Sequence, residues 1–164
     1  MARTVARQRS NAVALPEWVP PQPTQLVDAA PEGDQWLHEI KFEGCRMHTR
    51  LDCGLVKLLT RTGLDWTHKY PAIAKAVASL DVRQAYLDGE IVRRRPRRHH
   101  LVQQCAACFG QRERGALVFF LFDLLYLDGE DLREHPLINL KERLSARVRD
   151  LFQVARSVAC VEPR

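Results

Sequence analysis

No stretch of this sequence is apolar for the roughly 20 residues that a membrane helix needs. The longest apolar run is residues 116–127, interrupted by Asp123, and it reads as a buried strand. The first ten residues carry Arg3, Arg7 and Arg9 with no apolar segment behind them, which argues against a secretory signal and for a basic arm. No association with a membrane is therefore expected. Internal repeats are absent. Cysteines are few and odd in number, five in all, which argues against a disulfide framework and for reduced thiols in a cytoplasm. Cys105 and Cys108 form a C-x-x-C. No second pair lies at zinc-finger spacing, and His99 and His100 are too close in sequence to complete a structural site. Two thiols on one helix face are the expectation.

What remains is a globular composition. Of 164 residues, 46% are hydrophobic and 27% charged, enough for one domain with a core. The formal net charge is +5, and Arg93, Arg94, Arg95, Arg97 and Arg98 concentrate it in one stretch. Such a run either contacts a phosphate backbone or is a solvated loop. Residues 15–31 hold Pro16, Pro20, Pro21, Pro23 and Pro31 and predict an extended lead-in across the domain surface. Alternation predicts strands at 36–42, 46–51 and 55–61, the last two forming a hairpin through Asp52-Cys53-Gly54. A helix is predicted over 71–80 with proline in its first turn and Ile73, Val77 and Leu80 on one face. A strand broken at Asp88-Gly89 follows over 85–92, then a short helix over 101–108. The apolar run 116–127 is the central strand, ended by Asp128-Gly129-Glu130. A last helix over 136–151 puts Leu137, Leu140, Leu144 and Val148 on one face. Strands and helices without strict alternation make the fold class α+β.

The chemistry concentrates in Glu39-Ile40-Lys41-Phe42-Glu43-Gly44-Cys45-Arg46. In an extended segment Leu37, Glu39 and Lys41 share one face, and Trp36, His38, Ile40 and Phe42 share the other, which reads as buried. An acid and an amine are thus delivered to one place. A lysine nucleophile must lose its proton, which nearby carboxylates oppose and a nearby cation favours. Held between Glu39 and Glu43, Lys41 needs a compensating charge, for which Arg46, Arg61 and a divalent metal are candidates. The bland alternative is an exposed strand end with ordinary charge pairs.

Three weaker clusters follow in order: Thr60-Arg61-Thr62-Gly63, Asp88-Gly89-Glu90, and Phe122-Asp123-Leu124-Leu125-Tyr126-Leu127-Asp128-Gly129. A buried Asp123 would be costly without a partner. The order and spacing of the four motifs resemble the ATP-dependent DNA ligases. The likeness is strongest to the ligase domain of the bacterial multifunctional end-joining type, which the segments 15–22, 31–41 and 64–71 also resemble. The resemblance implies a nucleotidyltransferase (ATP-grasp-like) fold of antiparallel sheets with flanking helices. It implies that Lys41 attacks the α-phosphate of ATP and carries AMP. It also implies that Glu39 recognises the adenine amino group, that Arg46 and Arg61 contact the nucleotide, and that Phe122 stacks on adenine. Glu90 would hold the ribose or a magnesium ion. Arg61, Arg93, Arg94, Arg95, Arg97 and Arg98 would contact DNA. AMP would pass to the 5′-phosphate of nicked or broken double-stranded DNA before sealing, in repair and recombination at the bacterial nucleoid.

The chain departs from the pattern in three places. Glu43 replaces an aspartate, and the arginine run replaces a turn. The motifs also end early, without the later lysine strands or the OB-fold. The expected organisation is a basic arm over 1–14, a partial adenylation domain over 15–151 and a divergent tail over 152–164. A second chain is one possible source of the missing half, and the isolated chain is expected not to complete ligation. The competing readings are a catalytically inactive remnant and a basic nucleic-acid-binding module that keeps part of the ATP pocket.

Overall fold

The computed structural model describes residues 12–22, 25–42, 44–94, 116–148 and 158–160. Strand β1 (Cys45–Asp52) turns through Cys53 and Gly54, both at positive φ, into β2 (Leu55–Thr60). A single 3-10 turn (Thr67–Lys69) leads into α1 (Pro71–Ala78), and then come β3 (Gln84–Arg94) and β4 (Ala116–Leu127). After the Asp128-Gly129 turn a two-residue β5 (Glu130–Asp131) precedes α2 (Leu137–Val148), and β6 is Val158–Cys160. The strand order is β2-β1-β3-β4-β5, all antiparallel, with β6 joining β4 in parallel.

The register divides the sheet into two faces. Met47 and Leu51 of β1, Leu87 and Ile91 of β3, and Phe119, Leu121 and Leu124 of β4 lie in one buried cluster with Ile73 and Val77 of α1 and Leu140, Leu144 and Val148 of α2. The opposite face carries Arg46, His48 and Arg50 across from Glu90, Asp88 and Tyr86 of β3. Those β3 residues lie across in turn from Phe120, Asp123 and Tyr126 of β4. Residues 12–22 cover the lower half of this face. The Val19 amide donates to Tyr86 Oη at 3.0 Å, Arg50 Nε donates to the Pro16 carbonyl at 3.1 Å, and Tyr126 Oη donates to the Val13 carbonyl at 2.7 Å. Leu15 and Val19 are buried against Tyr86 and Tyr126, at about 1.5 kcal/mol or more apiece. The lead-in thus crosses the domain as the prolines predict. It leaves the upper half of the face, from Arg46 to Asp123, to a different use.

Several sequence expectations are corrected. Residues 36–42 form no strand. Alternation becomes a strand only where a neighbour offers ladder groups, and no described strand pairs with this segment. Its supposedly buried face is open, with Trp36 51% and Ile40 53% exposed. The β3 strand is not broken at Asp88-Gly89 but bulges there, with register shifts on either side of Leu87-Asp88. Leu137 is exposed, and Lys141 takes its place on the buried stripe of α2. The strand β6, in residues expected to form a divergent tail, was not foreseen. The helix expected over 101–108 lies outside the described residues, as do Glu43, the thiols of Cys105 and Cys108, and Arg95, Arg97 and Arg98.

Candidate active site

Two glycines allow the strands to meet closely at the upper face. A methyl group on Gly44 would sit 2.2 Å from the Ile91 carbonyl oxygen, and one on Gly89 would sit 2.5 Å from that of Phe120. Their lack of a side chain brings β1 onto β3 and β3 onto β4 just where charged groups cluster. The Gly44 amide donates to Glu90 Oε1 at 2.7 Å, which ties the entrance of β1 to β3.

Arg46 and Asp88 form the first charge pair. Arg46 Nη2 donates to Asp88 Oδ2 at 2.6 Å, and Nε reaches both carboxylate oxygens at 3.2 Å. The hydrogen bond to Asp88 raises the guanidinium pKa above its ordinary value, against an opposing effect of burial. Asp88 is 3% exposed. Such a fork is the strong form of an ion pair. Below it lies His48, 1% exposed, with its ring edge-on to Tyr86 and Nε2 3.6 Å from Asp88 Oδ1. That distance is too long for a hydrogen bond, and neither ring nitrogen has a hydrogen-bond partner among the described residues.

Burial holds the His48 pKa below the usual histidine value, only partly offset by Asp88. A histidine whose folded pKa is depressed takes up its proton more readily when unfolded. Stability is then fully present above the unfolded value near 6.5 and falls as pH drops below it towards the folded pKa. The wild-type melting temperature is expected to fall between about pH 7 and pH 5 more steeply than that of His48→Leu. Parallel melting curves for the two proteins would show that His48 does not supply this dependence.

The second charge cluster is centred on Lys141. Its ammonium forms an ion pair with Glu39 Oε1 and donates to the Phe122 carbonyl oxygen and, at 3.2 Å, to Asp123 Oδ1. Burial raises the Asp123 pKa, and Lys141 opposes that rise. The Phe122 ring lies between two cations, with the Arg46 guanidinium 5.7 Å and the Lys141 ammonium 5.9 Å from its centroid. Phe42 stacks on Phe120 at 4.1 Å and 8°. The Glu39–Phe42 segment therefore docks by a charge contact and a ring stack, not by backbone ladders.

Among the residues singled out from sequence, Glu39, Arg46, Glu90 and Phe122 share this face. Lys41 is exposed on the segment that Glu39 and Phe42 anchor. Arg61 stands apart. It is exposed in the turn just after Thr60, which pairs with Met47, and makes no ion pair among the described residues. Arg93 and Arg94 close β3. The cation that faces Glu39 is Lys141, since Arg46 is engaged by Asp88. Sequence reasoning missed Lys141, Phe120 and His48, and it placed Asp88 in a cluster with Glu90 without finding its partner Arg46. One signal for Lys141 was present: a lysine at the position shared by Leu137, Leu144 and Val148 on an apolar helix stripe, with an aspartate inside the apolar strand. Two opposite charges in apolar settings predict each other.

A family model described as "ATP dependent DNA ligase domain" matches residues 22–162. The chain belongs to that family. It is 37% identical over 146 residues to the multifunctional non-homologous end joining protein LigD of Pseudomonas aeruginosa, covering 88% of this chain and 17% of that one. It is 35% identical over 173 residues to a DNA ligase of Pyrobaculum calidifontis, covering 92% of this chain and 29% of that one. The chain thus spans less than a third of either relative. Among solved structures, the ligase domain from Mycobacterium tuberculosis LigD is similar with a TM-score of 0.56 and 29% identity. That match covers 76% of this chain and 38% of the other. A mycobacterial DNA ligase D complexed with ATP and MES is similar with a TM-score of 0.56 and 27% identity, over 77% of this chain and 39% of that one. The antiparallel sheet with few helices is that of these ligase domains. No described helix is long and apolar enough to cross a membrane.

Proposed function

We infer that this ligase-family domain takes up ATP and forms a covalent adenylate on Lys41, the step that precedes the sealing of nicked DNA. The observation that carries the reading is the docking of the Glu39–Phe42 segment beside Phe122. Glu39 and Phe42 anchor the segment that carries Lys41, through Lys141 and Phe120, to the sheet face that holds Phe122, Arg46 and Glu90. An aromatic face suits a purine, and Glu39 offers an acceptor to an amino group. The donor set therefore fits adenosine. Arg46 supplies positive charge at the same face, where phosphates would lie.

The reaction this assigns to Lys41 is a displacement at phosphorus. The amine loses a proton, its nitrogen bonds the α-phosphate, and the bond to the β-phosphate oxygen breaks to release pyrophosphate. Magnesium is held by one or two carboxylates together with substrate phosphates. Glu90 fits that demand, and no cluster of three ligating residues is found among the described residues. When bound, the ion would supply charge neutralisation at the phosphates. The substrate we assign to the later step is nicked or broken double-stranded DNA, in the bacterial cytoplasm at the nucleoid. The basic run beginning at Arg93 supports this as a phosphate contact.

The test is incubation of the chain with α-labelled ATP and magnesium, with Lys41→Ala alongside. An acid-labile adduct is expected on the wild type and none on the variant. No adduct from a folded wild-type chain that binds ATP would sink the assignment.

A further inference from the structure

Lys141 alone among the lysines is buried, at 2% side-chain exposure. An ammonium has three N–H donors, and here they meet three acceptors from two parts of the chain: Glu39 on the segment before β1, and Asp123 and the Phe122 carbonyl on β4. Folding does not demand this. A buried ion pair is commonly matched or bettered by apolar residues of similar volume, and the position lies on the apolar stripe of α2. The charge therefore has another use, and Glu39 shows what it is. Residues 25–42 contain no helix or strand, so side-chain contacts must set where Glu39 points. One such contact, the Phe42–Phe120 stack, lies three residues further on.

We propose that Lys141 is a positioning residue that sets nucleotide specificity: it holds the Glu39 carboxylate beside Phe122 as a hydrogen-bond acceptor. A carboxylate so held accepts a hydrogen bond from a base that presents an amino group, as adenine does. It repels a base that presents a carbonyl oxygen in the same place, as guanine does. Without Lys141, Glu39 and Asp123 face each other as like charges with no cation between them. They then repel each other, Glu39 is no longer held in place beside Phe122, and discrimination between the bases falls. The proposal rests on the adenosine reading of the site.

The test is equilibrium binding of ATP and of GTP to the 164-residue chain, which needs no chemistry, with self-adenylation followed in parallel. Wild type is expected to prefer ATP. K141M is expected to lose about tenfold or more in ATP affinity, the worth of a hydrogen bond to a charged group, and most of its preference over GTP. K141R, which keeps the charge, is expected to recover much of that preference. The KM for ATP should rise more than the saturated rate of adenylation falls. A purely structural role would weaken both nucleotides alike. Should K141M fail to fold, D123L/K141M leaves no unpaired charge in the strand and carries the same expectation. A folded variant with wild-type ATP affinity and an unchanged ATP-to-GTP ratio would overturn the proposal. Wild type that binds ATP selectively but forms no adduct would overturn the adenylation reading, while the binding ratio still decides the role of Lys141. Wild type that binds neither nucleotide would overturn both.

Discussion

Arg46→Met is expected to destabilise the fold by about 3 kcal/mol, the cost of stranding a buried carboxylate. In a domain of this size that lowers the melting temperature by roughly 10 °C. The reason is Asp88, 3% exposed and held by a forked bond whose shortest arm is 2.6 Å. Among the described residues no other cation is within hydrogen-bonding distance: His48 Nε2 is 3.6 Å away, and its burial disfavours the charged ring. Removing the guanidinium therefore leaves a carboxylate that must either protonate or draw in water. The pair itself adds little, because both ions give up hydration to form it. It follows that Arg46→Met/Asp88→Leu should regain most of the lost stability. Thermal melts of the two single variants and the double variant form a cycle that isolates the pair. A double variant no more stable than Arg46→Met would mean that the Arg46 side chain matters through its packing on Phe122, not through its charge.

The second large effect is expected at Gly44. In Gly44→Ala the new methyl would stand 2.2 Å from the Ile91 carbonyl oxygen and 3.2 Å from Val92 Cγ2. The oxygen is backbone in the β3 ladder and cannot rotate away. The start of β1 must therefore move, and with it the 2.7 Å bond from the Gly44 amide to Glu90. Overpacking against backbone costs about 3 kcal/mol, at the upper end of the usual range. The effect on chemistry is expected to be larger than the effect on the fold. Lys41 lies three residues away, and a displacement near 1 Å can cost about a hundredfold in rate. Self-adenylation by Gly44→Ala should fall by about that factor at a temperature where circular dichroism shows the chain still folded. An adenylation rate within threefold of wild type would mean that the Lys41 segment is placed by its side-chain anchors alone.

The sequence by itself determined the local structure and the chemical vocabulary. The hairpin of β1 and β2 follows from alternation around Asp52-Cys53-Gly54, α1 from Pro71 and its apolar stripe, and β4 from an apolar run ended by Asp128-Gly129. These are near-neighbour effects, set by backbone preference and the period of the side chains. The motif order also named the ligase family, because each motif is a short run of neighbouring residues and their order is read directly along the chain.

The tertiary structure decided which groups meet. Residues 36–42 alternate like a strand, yet they stay outside the sheet because pairing needs a partner that local sequence cannot supply. Asp88 looked like turn material beside Gly89. The register of β1 on β3 makes it the partner of Arg46, 42 residues away. Lys141 looked like one more helix residue. It becomes the cation facing Glu39 and Asp123 because α2 packs its apolar stripe onto β4 and carries the ammonium beneath Phe122. A buried charge is stable only where its partners are, and their positions are fixed by the sheet and the helix together.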